Sequence, residues 1–160
     1  MSVNVAEEVR CALDAGQPVV ALETAVLTSG LPRCTWNDSY GEPPNGVDVT
    51  APINAAIAIA MTEIVRTNDA IPAWIGVLHG ELIIGLSLDD KLQLAGDEDA
   101  TKVSIANCAP TMMRGGSAGT TVAATLAACR LSSEPNPIRV FATGGIGGIH
   151  QNWSSRLDIS

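Results

Sequence analysis

Four features of the chain are chemically suggestive. Glu23 ends the apolar run Pro18-Val19-Val20-Ala21-Leu22. A carboxylate between apolar neighbours, at the carboxyl end of a buried strand, is suited to donate a proton, because burial favours its neutral form. Lys102 is one of only two lysines in an acidic chain and could pair with a phosphate as a point charge. Asp158 offers the hard oxygen that Mg²⁺ or Mn²⁺ prefers. The run Thr143-Gly-Gly-Ile-Gly-Gly-Ile-His150 could aim successive backbone N–H groups at an anion, with no side chains in the way.

Each feature also has a plainer reading: a capping Glu, a solvated Lys, a surface Asp and a turn that tolerates positive φ. The glycine run is neither a dinucleotide fingerprint nor a phosphate-binding P-loop. His150 takes the last glycine's place, and no Gly-Lys-Ser/Thr follows. Cys11, Cys34, Cys108 and Cys129 match no zinc spacing and read as reduced packing or surface thiols. Trp36, Trp74 and Trp153 read as packing residues, and His79 as an exposed turn residue.

The positioning elements follow from periodicity. Val5 to Ala15 predicts a helix stopped by Gly16, and the run to Leu22 a buried strand. Thr28 to Val49, rich in Pro and Gly, predicts one long loop without regular structure. Thr50-Ala51-Pro52 predicts an N-cap and first turn for a helix over Asn54 to Arg66. Ala73 to Leu78 and Glu81 to Leu86 predict a hairpin about His79-Gly80, and Ser87 to Asp90 a capping box. Lys102 to Ser104 predicts a short strand, Thr120 to Cys129 a small-residue helix, and Ile138 to Ala142 a strand before the glycine run. The alternation predicts one α/β unit over residues 1–160.

Composition agrees with that class. The 160 residues are 46% hydrophobic and 16% charged, which excludes global disorder. A net charge of −8 without a basic stripe argues against nucleic acid as a partner. No stretch approaches the roughly 18 apolar residues of a membrane helix. Glu7 and Glu8 without an apolar core argue against a signal peptide, so a cytoplasmic location is expected. The ending Leu157-Asp158-Ile159-Ser160, with no capped helix or polar tail, predicts a truncated chain rather than a natural terminus. A docked final strand would look the same.

Five segments, in order, resemble the pseudouridine-5′-phosphate glycosidase family. They are Val19 to Thr24 with Ser29-Gly30-Leu31-Pro32, Ile71-Pro72-Ala73 with Gly85-Leu86-Ser87, Thr101 to Ser104, Gly119 to Ala123, and Val140 to His150 closing on Asp158-Ile159-Ser160. The resemblance spans about the N-terminal half of a family member. It implies a layered α/β/α fold, a homotrimer, Mn²⁺ (or Mg²⁺ or another divalent ion), and cleavage of the C–C glycosidic bond of pseudouridine 5′-phosphate to uracil and ribose 5-phosphate. It further implies Glu23 as proton donor, Lys102, Val122 and Ser160 as substrate contacts, Asp158 as metal ligand, and Thr143 and His150 as phosphate holders. The nucleophilic lysine it implies lies downstream of Ser160. Ser29 stands where the family has His, and Ile105-Ala106-Asn107 where it has Arg-Asp-Leu. A non-catalytic sugar-phosphate-binding or interaction module is the other function expected from these residues.

Overall fold

A computed structural model of the chain describes residues 2–146. Of the expected site residues, Glu23, Lys102, Val122 and Thr143 fall within it. His150, Asp158 and Ser160, together with Trp153, lie outside the described residues.

The fold is organised around strand β3, Ile71–Leu78, which is buried at every position after the first. Strand β2, Val19–Glu23, runs parallel to its first half, from Val19 opposite Ile71 to Glu23 opposite Ile75. Strand β4, Glu81–Ile84, returns antiparallel on the other edge after a turn at His79 and Gly80, both with positive φ. Strand β1, Ser2–Val5, extends the sheet beyond β4, and β7, Val140–Ala142, extends it beyond β2; both additions are parallel.

The remaining pair, β5 (Thr101–Val103) and β6 (Ala118–Thr120), creates a junction. Strand β6 pairs antiparallel with Gly76 and Val77 of β3, whose other edge already holds β4. It therefore lies on the β2 side and takes up the edge of β3 where β2 leaves off.

Period-two alternation sends each strand's side chains to two separate cores. Ala21, Ala73, Ile75 and Val77 join Val9, Leu13, Met112 and Ala128 on one face. These residues come from α1 (Glu7–Asp14), α4 (Ile105–Met113) and α5 (Val122–Cys129). Leu22, Trp74 and Leu78 join Leu27, Ala58, Leu86 and Leu94 on the other, under α2 (Ile53–Thr67) and α3 (Leu88–Gly96). The result is the expected α/β/α layering.

Several local expectations are corrected. The predicted first helix begins two residues later, because Ser2 to Val5 pair with β4 as a strand. The Thr28–Val49 segment is not wholly irregular. A π-helical turn spans Val26–Gly30 and a short 3₁₀ turn Asp38–Tyr40, whose Asn37 side chain accepts the Ser39 N–H. The Thr50 side chain does not cap α2; Pro52 occupies the cap, and the Thr50 hydroxyl bonds Asp48 instead. Helix α4 had no counterpart in the periodicity reading, since Pro110 lies inside it. Ser104 opens that helix with a capping box closed by Asn107. Thr120 ends β6 rather than starting α5. The Ser87–Asp90 capping box, the His79–Gly80 hairpin and an exposed His79 are as read from the residues.

Candidate functional site

Strands β2 and β7 run in the same direction and finish at the same edge of the sheet, with Leu22 opposite Ala142. The next residue of each, Glu23 and Thr143, therefore meet. The Thr143 hydroxyl donates to Glu23 Oε1 at 2.8 Å and accepts the Gly145 N–H at 3.2 Å. The Gly145 carbonyl, 3.1 Å away, is a second acceptor for that hydroxyl. The first residues of the glycine run are thus folded back toward the carboxylate. Glu23 is only partly buried, so its carboxylate is neither sealed in the core nor free in solvent.

Behind Glu23 the junction of β2, β3 and β6 is held by hydroxyls. Thr24 and Thr120 are both fully buried, and each donates to the Ile75 carbonyl at 2.6 Å. The Thr24 oxygen accepts the Thr120 N–H at 3.0 Å, and Thr125 of α5 donates to the Thr120 hydroxyl at 3.0 Å. Two strands end at this point from opposite directions, and side-chain oxygens supply partners that a continuous ladder would have supplied. Burial without partners would be costly here, and no buried side-chain polar atom lacks one among the described residues.

This network connects Glu23 to the other expected residues. Lys102 is opposite Gly119 in the β5–β6 ladder, and Val103 opposite Thr120. A Cβ on Gly119 would strike the Thr28 hydroxyl and come within 2.8 Å of the Ala25 backbone. Glycine at 119 is what lets the turn after Glu23 lie against β6. Thr121 sends both its N–H (2.9 Å) and its hydroxyl (3.0 Å) to the Val103 carbonyl. That fixes the start of α5, where Val122 is buried. Glu23 and Thr143 are in direct contact, and Lys102 and Val122 reach them through β6 and its threonines. Lys102 is partly buried, and its carbonyl accepts from Asn107 Nδ2 at 3.0 Å.

A second brace is Asn54. Its side chain is buried and donates to the carbonyls of Leu27 (2.9 Å) and Ala95 (2.8 Å), tying the turn after Glu23 to α2 and α3. Periodicity placed Asn54 only as the start of a helix. A polar residue opening an otherwise Ala/Ile-rich helix was the available signal. Likewise, Thr24 and Thr120 carried no spacing pattern of their own; only their adjacency to Glu23 and Gly119 pointed to them. No group of three or more His, Cys, Asp or Glu side chains placed so that it could hold a metal ion occurs among the described residues.

Polar groups gathered at the carboxyl ends of the adjacent parallel strands β2 and β7 stand where open α/β sheets place their ligands, and they make this edge the candidate site of an α/β protein. The comparisons narrow that class. The chain belongs to the family described as indigoidine synthase A like protein, whose profile matches residues 46–160. It is 42% identical over 158 residues to a pseudouridine-5′-phosphate glycosidase of Dinoroseobacter shibae, covering 99% of this chain and 45% of that protein. A glycosidase of the same name from Myxococcus xanthus is 40% identical over 161 residues, covering 100% and 46%. Among solved structures, a prealnumycin C-glycosynthase in complex with ribulose 5-phosphate superposes with a TM-score of 0.68 at 29% identity. An indigoidine synthase A-like protein from Thermotoga maritima superposes with a TM-score of 0.66, also at 29% identity. Both matches cover all of this chain and 44% of the other. The chain thus spans less than half the length of the relatives it matches.

Proposed function

We propose that this chain is the N-terminal half of a pseudouridine-5′-phosphate glycosidase, contributing the acid side of a site that splits the C–C glycosidic bond into uracil and ribose 5-phosphate. Glu23 is the proton donor to the departing base. A carbon leaving group needs a proton at carbon, so an acid held at a fixed point is required. Thr143 and the glycine turn, with His150, hold the phosphate. Lys102, Val122 and Ser160 contact the sugar and base. Asp158 would hold Mn²⁺, which would supply positive charge against the phosphate-bearing substrate. No step assigned to the described residues passes through the metal. A cytoplasmic homotrimer belongs to the same reading.

The observation that carries this proposal is the 2.8 Å contact between Glu23 and Thr143, which joins the acid to the mouth of the glycine turn. The relatives' names and the ribulose 5-phosphate in one structural neighbour support a sugar-phosphate ligand. The nucleophilic lysine implied by the resemblance is neither Lys91 nor Lys102, and the 160 residues contain no other lysine. The chain alone is therefore expected to bind without turnover, as a sugar-phosphate-binding module would.

The test uses the purified chain with pseudouridine 5′-phosphate and Mn²⁺, with and without a polypeptide equal to the remaining half of the Myxococcus relative. Uracil is expected only from the mixture, and not from a mixture made with Glu23→Gln. Uracil release by Glu23→Gln at the unaltered rate refutes the acid role. If the mixture stays inactive while ribose 5-phosphate binds the chain alone by calorimetry, the binding module is the correct reading.

A further inference from the structure

Strand β7 ends the sheet beside β2 and, among the described residues, pairs with no other strand. Its register sends its side chains to two faces. Val140 lies opposite Val20 and Ala142 opposite Leu22, on the side of the core under α2 and α3. Phe141, opposite Ala21, packs on the other side, against the core under α5. Only that second side is covered. Ile138, just before the strand, is buried there, but Val140 is 56% exposed and Ala142 is exposed as well. The α2 layer stops short of them. Met61 and Val65, one turn apart on that helix, and Val20 on β2 are all only partly buried at the border of their core.

A parallel strand is ordinarily covered on both faces. The opposite margin of the sheet is built for solvent: β1 carries Ser2 and Asn4, and the Ser2 hydroxyl bonds Glu81. Strand β7 is Val-Phe-Ala, without a polar side chain, and Ile146 beyond it is 77% exposed.

We propose that this bare margin docks a polypeptide equivalent to the remaining half of the relatives. The partner adds a strand to the free edge of β7 and lays apolar side chains over Val20, Val140 and Ala142. The matched part is only 45% and 46% of the two glycosidases and 44% of each structural neighbour, so those proteins hold more chain than they share with this one. The glycine turn leaves directly from β7, so whatever pairs with β7 stands beside Thr143 and Glu23. On the reading proposed above, on which this inference rests, the nucleophilic lysine comes from outside these 160 residues, and a partner on β7 would bring it to the site. A second copy fits poorly: two three-residue strands paired with each other bury far less than the roughly 1,200–2,000 Å² of a stable interface.

The full chain is co-expressed with a tagged polypeptide equal to the remaining half of the Myxococcus relative, and co-purification and sedimentation report the complex. A one-to-one complex is expected with the native chain and with Val3→Glu on the β1 edge. Val140→Glu and Ala142→Glu each put an unpaired charge on the docking face and should weaken the complex at least about tenfold. Circular dichroism of each isolated variant should match the native chain, because both side chains are exposed. As a second readout, iodoacetamide should label Val140→Cys readily in the isolated chain and at least about tenfold more slowly in the complex. No complex, a complex indifferent to both glutamates, or a chain that pairs with itself through Val140 overturns the proposal. The two readings fail separately. A Val140-dependent complex that releases no uracil removes the glycosidase reading and leaves the docking surface, whereas uracil release indifferent to Val140→Glu does the reverse.

Discussion

Thr24→Val isolates the hydroxyl junction behind Glu23. The substitution keeps the shape of the side chain and removes one oxygen. In the native chain that oxygen donates to the Ile75 carbonyl at 2.6 Å and accepts the Thr120 N–H at 3.0 Å, in a fully buried position. The carbonyl still receives the Thr120 hydroxyl, so the donated bond is only partly missed, at about 0.5–1 kcal/mol. The Thr120 N–H is left with no acceptor and no water, which costs about 1–3 kcal/mol. The expected loss is about 1.5–4 kcal/mol, a large share of a typical domain's stability of about 5–15 kcal/mol. Thr125→Val is the internal comparison. It removes a donor to the Thr120 hydroxyl at 3.0 Å but strands no buried N–H, so about 1 kcal/mol is expected. Urea unfolding followed by tryptophan fluorescence measures both, because Trp74 is fully buried. If Thr24→Val unfolds within about 0.5 kcal/mol of the native chain, or no earlier than Thr125→Val, then the junction does not hold Glu23 in place as described.

Three further outcomes follow from the structure. Gly119→Ala puts a methyl group into the Thr28 hydroxyl and the Ala25 backbone, and a thermal melt should show a loss of about 1–3 kcal/mol or more. A melt unchanged from the native chain would mean that the turn after Glu23 does not rest on β6. In the folded chain, iodoacetamide should label the exposed Cys11 and Cys34 first, Cys108 more slowly, and Cys129 last, because burial pushes the Cys129 thiol up to about 11. The folded state then holds that proton more tightly than the unfolded state, whose thiol sits near 9.0. Stability from this group is complete below pH 9 and declines between pH 9 and about 11. A Cys129→Ser variant with the same alkaline unfolding profile would contradict that assignment.

How much of this was legible beforehand divides along physical lines. Glu23 at the end of a strand was readable because Val19 to Leu22 form an unbroken apolar run, and such runs mark buried strands. The hairpin and the Ser87 capping box were readable because both depend on neighbours within a few residues. What escaped depends on distant partners. Strand β1 is a strand only because β4 offers it an edge, 79 residues away at Ser2 and Glu81. Strand β6 is three residues, Ala-Gly-Thr, with no propensity that would announce it. Helix α4 was hidden by Pro110, although Ser104 and Asn107 are a recognisable cap pair. The threonine junction could not be anticipated, because nothing local marks where two strands will terminate against the same carbonyl. Nothing local marked Lys91 as buried. Its burial comes from Thr62 and Trp74, which reach it from α2 and β3.

The pairing of β7 with β2 has a kinetic meaning. Val20 and Val140 are neighbours in the sheet but 120 positions apart along the chain, and so are Glu23 and Thr143. Closing so long a loop returns little until the contact is complete, so distant parallel pairings form slowly. Strands β3 and β4, joined by a tight turn, can pair early, whereas the carboxylate meets its threonine only when the residues as far as Thr143 have been made and folded. The candidate site is therefore assembled late, and a chain interrupted before residue 140 would keep the hairpin yet never bring Glu23 to its partner.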